Sequence, residues 1–250
     1  MDQFSKDRRI IRLEKTESTN LYLRQLAREE ELEEGSMVIA DFQTVGRGQR
    51  GNFWFSSEGK NLLFSLLIYP KDLPANAQFI ISRIVSLAVK RTLDRFTDDI
   101  RIKWPNDIYW KERKIAGILI ENDIAGRYIT NSVIGVGINI NEQSFPSTLP
   151  NPVSLREITG SMHDRNHILD IFQEEFFRLY RDFQQGEIKT IEDEYMLHLY
   201  RRNGCYWYED KNGRFMAEIE DLLPSGYLVL RTADRGEMRM YAFKEVAFVE

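Results

Sequence analysis

The stretch Gln43-Thr44-Val45-Gly46-Arg47-Gly48-Gln49-Arg50-Gly51-Asn52-Phe53-Trp54 lies between two apolar runs, Ser36 to Phe42 and Asn61 to Tyr69. The flanking runs read as buried strands, so the segment is a long loop carried by a sheet. Three glycines in six positions allow close backbone approach, and Arg47 and Arg50 put fixed positive charge at the same place. On this stretch alone, an anion-binding loop and a wide connection with solvated arginines are both open. It lacks the Gly-Lys-Ser/Thr ending of a P-loop, and its glycines do not fit the dinucleotide fingerprint.

Working outward toward the N-terminus, Arg9 to Glu14 reads as a short strand that leads into Glu17-Ser18-Thr19-Asn20. These polar residues precede Leu21, Leu23, Leu26 and Ala27 at helix-like spacing, so they either cap a helix or meet polar groups of a ligand. In the other direction, a core-facing helix opens at Pro74-Ala75 and ends around Phe96. Two short strands broken at Pro105 follow, from Ile100 to Trp110, then a charged turn at Lys111-Glu112-Arg113 and a strand from Lys114 to Glu121. This hairpin places Lys103, Asp107 and Lys114 at strand ends. Solvated lysines and an Asn-Asp turn would account for them, but Lys114 stands three residues before Gly117 in a strand apolar enough to be buried. Ile134 to Asn141 alternates Gly and Asn with aliphatics, which predicts a central strand with either a close approach or a bulge.

Beyond a Pro-stiffened loop (142–152), a short helix is expected from Ser154 to Gly160 and a longer one capped by Asp164, with Ile168, Phe172, Phe176, Leu179 and Phe183 on its apolar face. A further helix is expected over Thr190 to Tyr200. The pattern then changes to short strands separated by Asn212-Gly213, Pro224-Ser225-Gly226 and Arg235-Gly236, the signature of a small all-β barrel. The expected organisation is a larger domain over residues 1–201 and a barrel over residues 202–250.

Composition limits the function classes. The 250 residues are 42% hydrophobic and 29% charged, enough for a sizeable core, and the net charge of −5 argues against a general nucleic-acid binder. One cysteine, Cys205, excludes an internal disulfide, and three scattered histidines disfavour a zinc site. The N-terminal stretch, Met1 to Arg9, has no apolar core of a signal peptide, and no segment is long enough to span a bilayer, so a cytoplasmic protein is expected.

Four pieces, taken in order, resemble the biotin protein ligases: Glu17-Ser18-Thr19-Asn20; Gln43 with Gly46 to Trp54; Lys103-Trp104-Pro105-Asn106-Asp107 with Lys114 and Gly117; and Gly135-Val136-Gly137-Ile138-Asn139. The resemblance runs from about Ile11 to the end of the chain. It implies an α+β fold, a mixed sheet with packed helices of the class II synthetase-like biotin/lipoate ligase type, followed by a small SH3-like β-barrel. It implies two half-reactions: biotin and ATP, with Mg2+, give biotinyl-5′-AMP, and the biotinyl group then passes to one lysine of the biotin carboxyl carrier domain of a carboxylase. Since the chain starts almost directly at the catalytic part, the resemblance is to the ligase-only type, which binds no DNA. A homodimer through a sheet edge is a further expectation.

By the same resemblance, Lys114, Arg47 and Asp107 are the catalytic candidates. Ser18, Thr19, Asn20, Gln43, Arg47, Gly48, Gln49, Lys114 and Gly117 match biotin-binding positions, and Arg50, Trp54, Lys103, Asn106 and Asn139 are placed near the nucleotide. No protein ligand for the metal is assigned. Where many relatives have a second arginine after Gly48, this chain has Gln49, which keeps hydrogen bonding but loses a charge. Two competing readings are a lipoate or octanoate ligase or transferase of the same fold, and a non-catalytic biotin-sensing interaction module.

Overall fold

A computed structural model describes residues 8–249, and of Arg50 the backbone alone. Residues 1–7 and 250, which carry most of the stretch read as lacking a signal peptide and the outer ends of the two expected domains, lie outside the described residues. The chain runs β1 (Ile10–Thr16), α1 (Thr19–Glu29), β2 (Met37–Gln43), β3 (Leu62–Ile68), α2 (Phe79–Leu93), β4 (Ile100–Lys103), β5 (Asp107–Trp110), β6 (Arg113–Ala125) and β7 (Tyr128–Ile138). Then follow α3 (Leu155–Thr159), α4 (Arg165–Gln184), α5 (Ile188–Leu197) and five short strands: β8 (Tyr206–Asp210), β9 (Gly213–Leu222), β10 (Leu228–Thr232), β11 (Met238–Tyr241) and β12 (Val246–Phe248).

The first seven strands form one mixed sheet in the order β1-β2-β3-β7-β6-β5-β4, with β1 and β2 parallel and the other pairs antiparallel. The predicted central strand is indeed central, fourth of the seven. Strand alternation sends Phe64, Leu66, Ile134 and Val136 to one face, into a core shared with α2, α4 and α5. The other face is covered only in part. Leu67, Val133 and Val38 meet Leu23 of α1 there, and the rest of that face, over β5, β6 and β7, is left to the glycine-rich loop. This unequal covering positions the site.

The last five strands make an antiparallel sheet in the order β11-β10-β9-β8-β12, the small barrel-like unit expected from the turn signals. Trp104 Nε1 donates to Gly226 O at 2.9 Å and its ring meets Phe243 edge-on, fastening the β4–β5 turn to this unit. Arg83 of α2, 2% exposed, donates to Leu222 O and pairs with Glu192 of α5. The charge is compensated by the carboxylate and the carbonyl that its two terminal nitrogens meet, while its Nε has no hydrogen-bond partner among the described residues.

Some boundaries move for physical reasons. The segment opening at Ala75 makes a single tight turn before α2 begins at Phe79. The helix expected to reach Tyr200 stops at Leu197, because the next residues satisfy the edge of β4: Ile102 N donates to His198 O at 3.0 Å and Tyr200 N to Ile102 O at 2.8 Å. The predicted caps of the later helices are present: Asp164 accepts from Asn166 N, and Gly160 closes α3 at φ 75°. Among the described residues, no helix is long and apolar enough to cross a membrane.

Candidate active site

Register assembles the site. Lys103 lies opposite Asp107, Asp107 opposite Gly117, and Gly117 opposite Gly137, so the four positions share the partly covered face. Lys114, three residues before Gly117, would point to the other face of a regular strand. A register shift between Ile108 and Tyr109 puts Tyr109 opposite Lys114, and this bulge turns the lysine onto the face of Gly117. Lys114 Nζ then lies 2.6 Å from Asp107 Oδ1 and 5.5 Å from the centre of the Trp54 ring.

The glycines make a floor. The Trp54 indole lies across the paired Gly117 and Gly137, where added Cβ atoms would fall 2.7 Å from Cζ3 and 2.5 Å from Cε2. Trp54 stands at the end of a loop that folds back on itself, with Gly48 N donating to Asn52 O at 2.7 Å and Trp54 N to Gly46 O at 2.9 Å. The predicted close approach to the central strand is therefore made by the loop's own tryptophan. Two residues earlier on the same strand, Gly135 accommodates Asn20, since a Cβ there would lie 2.3 Å from Asn20 Oδ1.

The polar residues before α1 do not cap it. Ser18 occupies the N-cap position with extended backbone, but its side chain makes no cap hydrogen bond. Instead Thr19 N and Oγ1 donate to Gln43 Oε1 at 2.8 and 3.1 Å, and Asn20 Nδ2 donates to Leu119 O at 3.2 Å and Glu121 Oε2 at 3.0 Å. Ser65 Oγ, fully buried, lies 2.8 Å from Thr19 Oγ1 and 2.5 Å from Asn20 Oδ1. Strands β2, β3 and β6 thus hold these side chains in a buried polar network of the kind that fixes geometry.

Cations surround the same space. Arg47 Nη1 lies 3.3 and 3.4 Å from the two oxygens of Glu121. Among the described residues Lys103 Nζ makes no ion pair; it donates to Tyr109 Oη at 3.0 Å and faces the rings of Tyr109, Tyr200 and Phe248 at 4.4, 5.6 and 5.4 Å. Burial holds its pKa below the ordinary lysine value, opposed by Asp107 and Glu112 and assisted by Arg201 and Lys114.

A cavity of about 450 Å3 gathers these groups. Of the residues singled out in the sequence, Ser18, Thr19, Asn20, Gln43, Arg47, Gly48, Gln49, Trp54, Lys103, Asn106, Asp107, Lys114 and Gly117 line it. Asn106 also spends its carboxamide on Ile118 O, 2.7 Å away. Asn139 does not line the cavity: it is buried, its Nδ2 donates to Val153 O at 3.1 Å, and its Oδ1 has no hydrogen-bond partner among the described residues. The side chain of Arg50 lies outside the described residues.

Sequence reading missed Ser65, Glu121 and the wall supplied by the second sheet and its β11–β12 turn, which includes Phe243, Lys244 and Phe248. Alternation from Gly117 through Leu119 would have put Glu121 on the site's face; nothing local marks the others. Among the described residues, no group of three His, Cys, Asp or Glu side chains could hold a metal ion.

The biotin/lipoate A/B protein ligase family matches residues 12–139. The chain is 31% identical over 216 residues to the bifunctional ligase/repressor BirA of Bacillus spizizenii, covering 84% of this chain and 65% of that protein. It thus spans under two-thirds of that relative's length. It is 32% identical over 174 residues to the biotin–[acetyl-CoA-carboxylase] ligase of Paracoccus denitrificans, 66% of this chain and 70% of that one. The biotin protein ligase of Aquifex aeolicus, solved in complex with biotin and ATP, superposes with a TM-score of 0.78 at 25% identity, covering 96% of this chain and 97% of that one. With these matches spanning the sheet, the loop and the hairpin that build the cavity, the chain belongs to the biotin/lipoate A/B protein ligase family.

Proposed function

We propose that the protein attaches biotin, by way of biotinyl-5′-AMP, to a specific lysine of a biotin carboxyl carrier domain. The observation that carries this reading is the meeting, in one cavity, of the Lys114–Asp107 pair, Arg47 and the polar set Ser18, Thr19, Asn20 and Gln43. In the first half-reaction the biotin carboxylate attacks the α-phosphorus of ATP, the bond to the β-phosphate oxygen breaks, and pyrophosphate leaves. Negative charge grows on phosphoryl oxygens, and fixed cations in a water-poor site lower that barrier. Lys114 is assigned to the space between carboxylate and α-phosphate, Arg47 to the carboxyl end, and Lys103, in its aromatic surround, to the nucleotide. Mg2+ would accompany ATP as its counter-ion and offset phosphate charge, with no cluster of acidic, His or Cys side chains among the described residues to hold it apart from the nucleotide.

In the second half-reaction the amine of the carrier lysine attacks the acyl carbon, AMP leaves, and the amine gives up a proton. An ammonium of ordinary pKa, ~10.4, is no nucleophile, so Asp107 is assigned to orient or deprotonate it. Biotin is preferred over lipoate or octanoate because its ureido head needs donors and acceptors together, which the network around Thr19, Asn20 and Gln43 offers. An aliphatic acid would leave those buried groups unpaired. The carrier is the macromolecular partner. A second copy is assigned to the edge of β1, whose outward residues are exposed, since the opposite edge, β4, is already covered by residues 198–200. The lone exposed Cys205 suits a reducing, cytoplasmic setting.

The test is isotope exchange between pyrophosphate and ATP, run with biotin, lipoate and octanoate on the wild type and on Lys114→Ala. Exchange that requires biotin and collapses in the variant is expected. Exchange with lipoate or octanoate alone would move the substrate to the sister branch, and none with any acid would leave the non-catalytic module.

A further inference from the structure

Glu121 stands outside the cavity lining, yet it touches three groups that set the cavity's shape and charge. It accepts from Asn20 Nδ2 at 3.0 Å and Arg24 Nη1 at 3.2 Å, and both its oxygens lie within 3.4 Å of Arg47 Nη1. The three contacts are unequal. Asn20 is fixed over Gly135 and bound to Ser65, and Arg24 is also held by Asp123 at 2.9 Å. Arg47 is the most exposed of the three cationic or amide partners, at 38% of its side chain, sits on the loop, and makes the longest contacts. It is the partner that can leave at least cost.

We propose that Glu121 is the internal counter-ion of Arg47, displaced from it when the carboxylate of the incoming acid, and then the acyl phosphate of the adenylate, takes the arginine over. The inference rests on the biotin reading above. Glu121 is a positioning residue: it keeps the arginine beside the cavity mouth while the ligand is absent and retains Arg24 and Asn20 after the exchange. Because an anion binds only the fraction of molecules in which Arg47 is released, Glu121 lowers the apparent affinity for the charged ligand. The loss falls on the ligand's charge and not on its ring system.

The experiment is calorimetric titration of the whole protein with biotin and with biotinol, in which an alcohol replaces the carboxylate. Glu121→Gln keeps an oxygen for Asn20 but removes the competing charge, and should tighten biotin by roughly three- to fivefold at low salt while leaving biotinol unchanged. Arg24→Gln removes Glu121's other cation, so Arg47 is held harder; biotin should weaken by a similar factor, again without a change for biotinol. Both differences should shrink as salt is raised, since partly exposed pairs are screened. A merely structural role for Glu121 would move both ligands together, and that result, or weaker biotin binding in Glu121→Gln, would overturn the proposal. Binding of neither ligand by the wild type would overturn the biotin reading and this inference with it.

Discussion

Gly117 and Gly137 face each other across β6 and β7, and the Trp54 indole rests on the pair with no room for a methyl group at either position. In an ordinary strand interior, Gly→Ala gains about 0.5–1 kcal/mol. Here the sign should reverse. An added Cβ at Gly137 would sit 2.5 Å from Trp54 Cε2, so the indole must lift and take the loop with it. Gly137→Ala should cost about 1–3 kcal/mol in urea unfolding, the usual size of an overpacking loss. Biotin-dependent pyrophosphate exchange should fall more than tenfold, and a stabilised, fully active variant would contradict the floor assigned to these glycines.

Under the proposed reaction, substitutions at Lys114 and Asp107 should act on different half-reactions. With Nζ 2.6 Å from Oδ1, the carboxylate holds the lysine where the reading needs a cation at the α-phosphate. Lys114→Ala should lower exchange by roughly 100- to 1,000-fold, the range for removing a group that stabilises transition-state charge. Asp107→Asn should also slow transfer from preformed biotinyl-AMP to the carrier. Transfer at the wild-type rate would remove Asp107 from that step.

How much of this was legible depended on the range of the interaction that carries it. The loop from Gln43 to Trp54 announces itself, because its glycines, charges and flanking strands are adjacent in the chain. The glycines of the central strand were also visible, and a close approach was one of two readings; that Gly137 pairs with Gly117, and that Trp54 covers both, required the register. Glu121 meets Arg47 across 74 positions and was not marked by any motif. Asn139 shows the other limit of locality. It follows the Gly-Val-Gly-Ile run, but β7 ends at Ile138, and beyond that point alternation no longer fixes which way a side chain faces; its amide turns to Val153. Phe248, near the chain's end, reaches the cavity because long-range contacts, those of Trp104 and Arg83 among them, fasten the second sheet in place.

The aromatic surround of Lys103 joins that second sheet to the position proposed for the nucleotide. Phe248 is its ring from β12, 5.4 Å from Nζ. Phe248→Ala should raise KM for ATP about two- to fivefold, matching a cation–π contribution of ~0.5–1 kcal/mol, with KM for biotin unchanged. Tyr109→Phe, which removes the hydroxyl but keeps the ring, should act in the same direction. Steady-state adenylation with each substrate varied in turn distinguishes this from general damage, which would shift both constants.

Gln49 lines both the main cavity and the adjoining groove bounded by Phe79, Tyr227 and Phe243. If the acyl phosphate is held here as proposed, a neutral side chain gives it one charge-assisted contact fewer than an arginine would. Gln49→Arg should slow the escape of biotinyl-AMP into solvent, measured as release of labelled adenylate in the absence of carrier. Equal release rates in the two proteins would sink this.

Stability should depend on two histidines away from the cavity. Burial lowers the pKa of His163 from the ordinary 6.5, and it lowers that of His198 as well, where Lys90 and Arg101 assist and Glu194 and Asp94 oppose. Between the depressed folded values and 6.5 the unfolded chain binds more protons than the native one, so stability rises with pH across that window. The contribution is complete above 6.5 and is lost as pH falls through the folded values. Carboxylates add their own acid destabilisation, but it is common to wild type and variants. Urea midpoints measured at pH 7.5 and pH 5 should therefore drop further for the wild type than for His163→Gln/His198→Gln, in which glutamine can keep the contact to Thr159 without taking a proton. Identical drops would mean that neither imidazole is held neutral by the fold.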